Sequence, residues 1–346
     1  VGVSGSSVAS GRVYGEGREI LGGVWIIKRR EKMKPLGIKT VAVIGAGVMG
    51  AGIAQVFAQE GFSVILNDVG DEVLKSAGER IQGNLTLLQR AGVLSKKSVN
   101  EAVGRIRYTA ELSGDHGADL VMEAVPEKLD IKQELFKKLD GAFSPEIILA
   151  TNTSGISITR IASVTKNPGR VVGMHWWNPP YIIPVIEVIK GEQTREEIVD
   201  TVRELIERLH KRPVLVNRDV PGFLGNRMQY ALMREAVSLL EEGVASAEDI
   251  DTMVKAGFGF KFPVIGPLET IDMAGMDIFY NVSGYLYKEL DSTTEAQRVV
   301  CEKVKQNKLG MKTGEGFYDY AQIDMKSLNQ ERIEKYIMLL KDLGYY

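Results

Sequence analysis

Short apolar runs separated by amphipathic stretches dominate the chain from Val41 to Asn217. "VAVIG", "SVILND", "DLVMEAV", "EIILATNTS", "RVVGMH", "IPVIEVI" and "RPVLVN" are each of strand length, and most of the stretches between them carry apolar residues at helical spacing. Near-continuous apolar strands alternating with helices belong to sheets covered on both faces. The pattern therefore predicts an α/β fold with a largely parallel, doubly wound sheet. From about Leu74 to Arg105 the pattern runs longer than one crossover needs. "LKSAGERIQGNLTLLQRAGVLSKKSVNEAVGRI" reads as two helices joined near Gly92, an inserted helical hairpin.

After "NRDVPGF" the strand signals end and apolar positions take helical spacing, as in "LGNRMQYALMREAVSLLEEG". A second, all-α domain is expected from about Arg218. "SAEDID" reads as a serine-capped helix start with acids in its first turn. "LNQERIEKYIMLLKDLGYY" is amphipathic and is expected to form a terminal helix on the body or on another subunit. Residues 1–32 are rich in Gly and Ser, show no sustained periodicity and precede Met33, a natural start. They are expected to be an extension outside the fold, mostly mobile.

Composition narrows the function classes. The 346 residues are 44% apolar, enough for two domains with proper cores. Lys plus Arg (43) nearly balance Asp plus Glu (45), so no global field attracts nucleic acid or an anionic membrane, and a small-molecule partner is expected. The single cysteine, Cys301, excludes an internal disulfide and fits a reducing compartment; on a helix, it is expected to pack rather than react. No apolar run reaches the ~18–20 residues of a membrane span, and "ILGGVWII" lacks the shape of a secretion signal. The expected location is the cytoplasm.

The first strand runs into "GAGVMGAGIAQVFAQEG", where Gly45, Gly47 and Gly50 bend the chain into a helix that ends at Gly61, with a second strand behind it. In that context Gly45 permits the turn, Gly47 lets backbone approach a pyrophosphate, and Gly50 brings helix and sheet together. The loop Gly45, Ala46, Gly47, Val48, Met49 and Gly50 would then hold a diphosphate at a helix N-terminus, where unpaired N–H groups and the dipole favour negative charge. Asp68 follows at about the ~20 residues at which such a fold places its ribose-binding acid. Its carboxylate can accept from both ribose hydroxyls and repels a 2′-phosphate, and no arginine lies in the next ten residues. NAD is favoured over NADP, with FAD the alternative dinucleotide.

Of the three histidines, His116 and His210 lie in charged, helix-flanking contexts, whereas His175 ends a strand in "RVVGMHWWNPPYIIPVIEV". Ligands of open parallel sheets bind at the carboxyl ends of strands. Glu187 lies inside the apolar run "IPVIEVI", where an unpaired carboxylate is costly to bury. If the two runs are neighbouring strands, Glu187 accepts from one imidazole nitrogen of His175, fixes its tautomer and favours the imidazolium formed when the ring removes a hydroxyl proton. Lys190 is the alternative partner of Glu187. Ser154, in "ATNTSGISI", can meet a substrate oxygen or cap the following helix. Asn226, in "DVPGFLGNRM", can reach back across a cleft or simply start a helix.

"GAGVMGAGIAQVFA", "EAVPEKLDIKQELF", "ATNTSGISI", "GMHWWNPP", "DVPGFLGNRM", "EEGVASAEDID" and "GMKTGEGFYDY" resemble, in order, the motifs of the 3-hydroxyacyl-CoA dehydrogenase family, from about Thr40 to Tyr320. The resemblance implies a Rossmann-type NAD-binding domain over 33–217, a helical substrate and dimerisation domain over 218–325 and a helical tail over 326–346. It implies oxidation of an L-3-hydroxyacyl-CoA, such as 3-hydroxybutyryl-CoA, to the 3-ketoacyl-CoA with NAD, as in β-oxidation, by a homodimer. His175 maps to the family's base and Glu187 to its partner. Ser154 and Asn226 map to residues that contact the reacting oxygen or thioester. Nicotinamide-side contacts map to Glu127, Lys132, Asn152, Ser154 and Asn178, with Lys312 a weaker match. Basic residues on the inserted hairpin would meet coenzyme A phosphates, and Arg90, Lys96 and Lys97 are the candidates.

Two features depart from the family. Its usual H-F-F-N-P reads H-W-W-N-P here, and "PYIIPVIEV" replaces a methionine-lysine-leucine run. The second stretch looks more like relatives acting on non-thioester hydroxy acids, such as gulonate or carnitine dehydrogenases. That substrate class, and an NAD-binding protein without turnover, are the alternatives.

Overall fold

The computed structural model describes residues 18–21, 24–27, 37–111 and 117–345. Most of the 1–32 segment, and His116, lie outside these residues. Within that segment, β1 (Arg18–Leu21) and β2 (Val24–Ile27) pair as an antiparallel hairpin, which its lack of periodicity did not suggest.

Among the described residues, eight further strands build one sheet. They are β3 (Thr40–Ile44), β4 (Ser63–Asn67), β5 (Ile106–Thr109), β6 (Leu120–Glu123), β7 (Ile148–Thr151), β8 (Val171–Trp176), β9 (Val185–Ile189) and β10 (Arg212–Val216). Their order is β10-β9-β8-β7-β6-β3-β4-β5, parallel throughout except between β8 and β9. The short edge strand β5, "IRYT", alternates too weakly to stand out in the sequence. The central strands are buried along nearly their whole length, as both-face coverage requires.

Six helices flank this sheet: α1 (Val48–Gln59), α2 (Asp71–Arg90), α3 (Lys96–Gly104), α4 (Leu129–Ala142), α5 (Ile158–Ala162) and α6 (Glu196–Arg208). One core, with Ile53, Phe57, Ile81, Trp176 and Val202, holds α1, α2, α3 and α6 to one face. A second, with Phe136, Leu139, Ile158 and Phe223, holds α4 and α5 to the other. The inserted hairpin is α2 and α3, turning through Gly92 at φ +68°. The chain leaves β3 toward β4 and β5, then returns to β6 on the opposite side of β3. Such a reversal opens a crevice at the strand ends. Gly45 and Ala124, which follow β3 and β6, lie there.

The remaining helices are α7 (Gly225–Glu241), α8 (Ala247–Thr252), α9 (Gly259–Lys261), α10 (Pro267–Ala274), α11 (Met276–Leu286), α12 (Arg298–Lys305) and α13 (Met325–Asp342). Ser246 Oγ accepts from Asp249 N at 3.1 Å, capping α8 as its sequence suggested. None of α7 to α12 contains a buried residue. Cys301 on α12 is exposed rather than packed, contrary to its expected role, because its helix has no covering layer. α13 differs: Ile337 and Leu340 are buried against Leu88 of α2 and Ile182. Among the described residues no helix is long and apolar enough to cross a membrane.

Gly45 has φ +99°, and a Cβ there would stand 2.7 Å from the Ala124 carbonyl oxygen. Gly47 has φ −64° and open space around its missing Cβ. Gly45→Ala should therefore lose at least ~1–3 kcal/mol of stability from backbone strain, while Gly47→Ala unfolds like the parent. Denaturant titration of both variants checks this contrast.

Candidate active site

His175 and Glu187 stand directly opposite each other on the antiparallel pair β8–β9, so both side chains leave the same face. His175 Nδ1 lies 2.6 Å from Glu187 Oε2, and both residues are buried. A carboxylate only accepts, so Nδ1 carries the proton and Nε2 of the neutral ring keeps its lone pair. The other oxygen, Oε1, accepts from the backbone N–H groups of Leu224 (3.1 Å) and Gly225 (2.9 Å) at the start of α7. One carboxylate thus orients the imidazole and caps the first helix of the second lobe. Burial works to raise the Glu187 carboxyl, but the bonds from His175, Gly225 and Leu224 outweigh it and hold the group below the usual carboxylate range. Lys190, the alternative partner, pairs with Glu196. The rings of Trp177 and Phe223 flank the imidazole at centroid separations of 5.4 and 5.9 Å. A Cβ at Gly225 would collide with the Trp177 indole, so α7 can start this close only with glycine.

Ser154 follows β7. Its hydroxyl is exposed and, among the described residues, has no hydrogen-bond partner; Ser157, three residues on, caps α5 instead. Asn226 Nδ2 donates to the Ser154 carbonyl at 2.8 Å, the reach across the cleft rather than a plain helix start. Asn152 Oδ1 accepts from Trp176 N at 2.8 Å, tying the ends of β7 and β8. Glu127 Oε1 accepts from Thr153 Oγ1 (2.6 Å), Ser154 N (2.9 Å) and Gly155 N (3.2 Å). Lys132 Nζ is 3.4 Å from Glu127 Oε2 and 2.7 Å from Glu123 Oε1. Burial pulls the Glu127 carboxyl upward, yet Thr153, Lys132 and Ser154 together keep it below its ordinary value.

Sequence reading missed Glu123. It is fully buried at the end of β6, and it also accepts from Val125 N (2.7 Å) and Thr151 Oγ1 (2.5 Å). The signal was present: "DLVMEAV" sets an acid in an apolar run, the same pattern that singled out Glu187.

The glycine loop fits a dinucleotide. The space beside Gly47 is open, Gly47 and Val48 are exposed, and α1 begins there with no side-chain cap on its N–H groups. Asp68 Oδ2 accepts from Ala46 N at 2.7 Å, which ties the carboxylate to the loop and leaves acceptor sites on both oxygens for ribose hydroxyls. Met49 is partly buried against the core and Gly50 is buried. Beside this loop a groove of about 1150 Å³ runs between α2, the Asn178–Tyr181 segment and α13. Arg90 lines it, together with Arg80, which sequence reading passed over. Lys96 and Lys97 do not: both are exposed on the first turn of α3, and Lys97 faces Glu101 at 3.8 Å. The hairpin turns before α3 and carries them away from the groove. Lys312 likewise stands apart, exposed in the turn between Gly310 and Glu315, and among the described residues no hydrogen bond or ion pair joins it to the other candidates.

Comparison with known proteins follows this division. Residues 40–220 match the family model described as 3-hydroxyacyl-CoA dehydrogenase, NAD binding domain, and residues 222–320 match its C-terminal domain. The chain is 42% identical over 308 residues to a 5-formyl-3-hydroxy-2-methylpyridine 4-carboxylate 5-dehydrogenase of Mesorhizobium japonicum, covering 88% of this chain and 98% of that protein. It is 39% identical over 284 residues to a probable 3-hydroxybutyryl-CoA dehydrogenase of Bacillus subtilis, covering 82% and 98%. A crystal structure of 5-formyl-3-hydroxy-2-methylpyridine 4-carboxylic acid 5-dehydrogenase, described as an NAD-dependent dismutase, superposes with a TM-score of 0.82 at 41% identity. That match covers 89% of this chain and 99% of the other.

Glu123→Leu strips the buried Lys132 of its nearest carboxylate and should cost ~3–5 kcal/mol. Glu134→Ala, on the exposed face of α4 and paired with Lys138, should leave denaturant midpoints unchanged. Glu127 and Glu187 both sit below the ordinary value of 4.5. The stability they contribute is complete above that value and is lost as pH falls through their lower folded values. Unfolding free energy measured between pH 6 and 3 should decline less steeply in Glu187→Gln than in the parent.

Proposed function

This chain belongs to the 3-hydroxyacyl-CoA dehydrogenase family as an NAD-dependent oxidoreductase, and we propose that it oxidises an L-3-hydroxyacyl-CoA, such as 3-hydroxybutyryl-CoA, to the 3-ketoacyl-CoA. The observation that carries this reading is the buried contact of His175 Nδ1 with Glu187 at the strand ends beside the cleft. With Nδ1–H donated to the carboxylate, Nε2 accepts the proton of the substrate hydroxyl. The imidazolium so formed is stabilised by Glu187 at hydrogen-bond distance. The free Ser154 hydroxyl and the Asn226 amide supply hydrogen bonds to the reacting oxygen and the thioester. Trp177 and Phe223 shield the ring from water.

Gly45 to Gly50 and Asp68 would hold the pyrophosphate and adenosine ribose of NAD, with Glu127, Lys132, Asn152 and Asn178 on the nicotinamide side. NAD supplies the hydride acceptor when bound. The groove of about 1150 Å³, with Arg80 and Arg90 on its wall, favours an extended anionic substrate and so the coenzyme A thioester. A second reading, a small hydroxy acid or aromatic carboxylate, draws on the "PYIIPVIEV" stretch and on the Mesorhizobium relative. We also propose a homodimer through the helical lobe, because Tyr230, Met233, Leu268, Met276 and Tyr280 are all well exposed there. Exposed apolar surface on that scale suits an interface.

Reduced-nicotinamide absorbance should rise with 3-hydroxybutyryl-CoA and not with free 3-hydroxybutyrate, gulonate, carnitine or a hydroxymethylpyridine carboxylate. The opposite pattern would move the assignment to the second reading. His175→Ala and Glu187→Gln should bind NAD as the parent does and lose ~100–10,000-fold in turnover. Unchanged turnover would refute the role given to His175.

A further inference from the structure

α13 begins after residue 320, where the match to the family's C-terminal domain stops. Its second half is anchored to the NAD-binding lobe. Ile337 and Leu340 pack on Leu88 and Ile182, Lys341 Nζ donates to the Ala91 carbonyl at 2.7 Å, and the Arg212 guanidinium lies 5.4 Å from the Tyr345 ring centroid. Its first half stays with the helical lobe, where Arg332 Nη1 approaches Met311 Sδ at 3.6 Å. α13 is therefore a bridge between the lobes, and its Lys326, Asn329, Gln330, Arg332, Ile333 and Tyr336 line the groove whose other boundary is α2.

The charges in that groove are lopsided. Arg80 and Arg90 come from α2 and Lys326 and Arg332 from α13, against the single acid Glu79. Neither Arg80 nor Arg90 has an ion-pair or hydrogen-bond partner among the described residues, in a chain whose net charge is −2. Four cations converging on one groove, with Arg80 and Arg90 unpaired among the described residues, make a site for phosphate, where guanidinium groups bind bidentately. Tyr336 adds a half-exposed ring on which a base can stack.

We propose that α13 is the second wall of a site for the phosphate-bearing end of the substrate, with Lys326 and Arg332 acting together with Arg80 and Arg90. The chain's own tail then selects thioesters of a phosphorylated carrier over short uncharged ones. The proposal rests on the acyl-CoA reading, which the same experiment separates from it. The probes are adenosine 3′,5′-bisphosphate, measured by calorimetry, and two substrates: 3-hydroxybutyryl-CoA and its N-acetylcysteamine thioester, which lacks every phosphate.

In Lys326→Glu/Arg332→Glu, bisphosphate affinity should fall at least ~10-fold and KM for the coenzyme A thioester should rise by a similar factor. KM for the N-acetylcysteamine thioester, and kcat for both, should stay as in the parent. Lys335→Glu, on the same helix but outside the groove, should change nothing, and the single variant Arg332→Gln serves if the double one melts early. Parent protein that fails to bind the bisphosphate overturns the proposal, as does a reversal variant that binds it equally well or shifts both thioesters alike. If neither thioester turns over while the bisphosphate still binds through α13, the oxidation reading falls and the groove assignment is supported.

Discussion

The Glu187 carboxylate has two oxygens, and the fold places a different demand on each. Oε2 holds the imidazole of His175; Oε1 holds the first N–H groups of α7. A buried carboxylate is tolerated only when its lone pairs are filled. Satisfying it locks the ring tautomer and the entry of the helical lobe in a single arrangement. Movement of α7 away from the sheet would take two donors from the acid that steers the ring. The His175–Glu187 geometry and the docking of the two lobes are therefore one constraint, reinforced by the Asn226–Ser154 bond across the same seam.

A second buried acid supports the opposite side of the cleft. Glu123, Lys132 and Glu127 form a chain of charge that runs from the end of β6 to the backbone of Ser154 and Gly155. Glu123 and Lys132 lie in a low-dielectric interior, where each would be costly to leave unpaired, and they anchor the more exposed Glu127. It fixes the loop that presents the free Ser154 hydroxyl. The Glu127–Lys132 side of the cleft is thus built on the sheet, and the His175–Glu187 side on the seam between lobes.

The helical lobe contrasts with this. Its helices α7 to α12 expose their apolar side chains, and only α13 returns to bury residues against the NAD-binding lobe. That return closes one side of the groove beside α2. The same helix that links the lobes thereby shapes that groove.

Much of this was written into local pattern. The alternation of apolar runs and amphipathic stretches determined the sheet, the glycine spacing determined the turn at Gly45, and single acids or bases in apolar runs marked His175 and Glu187. These signals are local because strand and helix periods, positive φ and the cost of burying a charge act within a few residues. Tertiary structure alone decided which strand pair is antiparallel, and so that His175 meets Glu187. It also decided that Glu187 reaches Gly225, 38 positions on, that Arg80 joins Arg90 in the groove while Lys96 and Lys97 turn away, and that Lys341 meets Ala91 across 250 positions. Those contacts depend on how whole elements pack, and the energy that selects the packing is spread over the core rather than carried by any short stretch of chain.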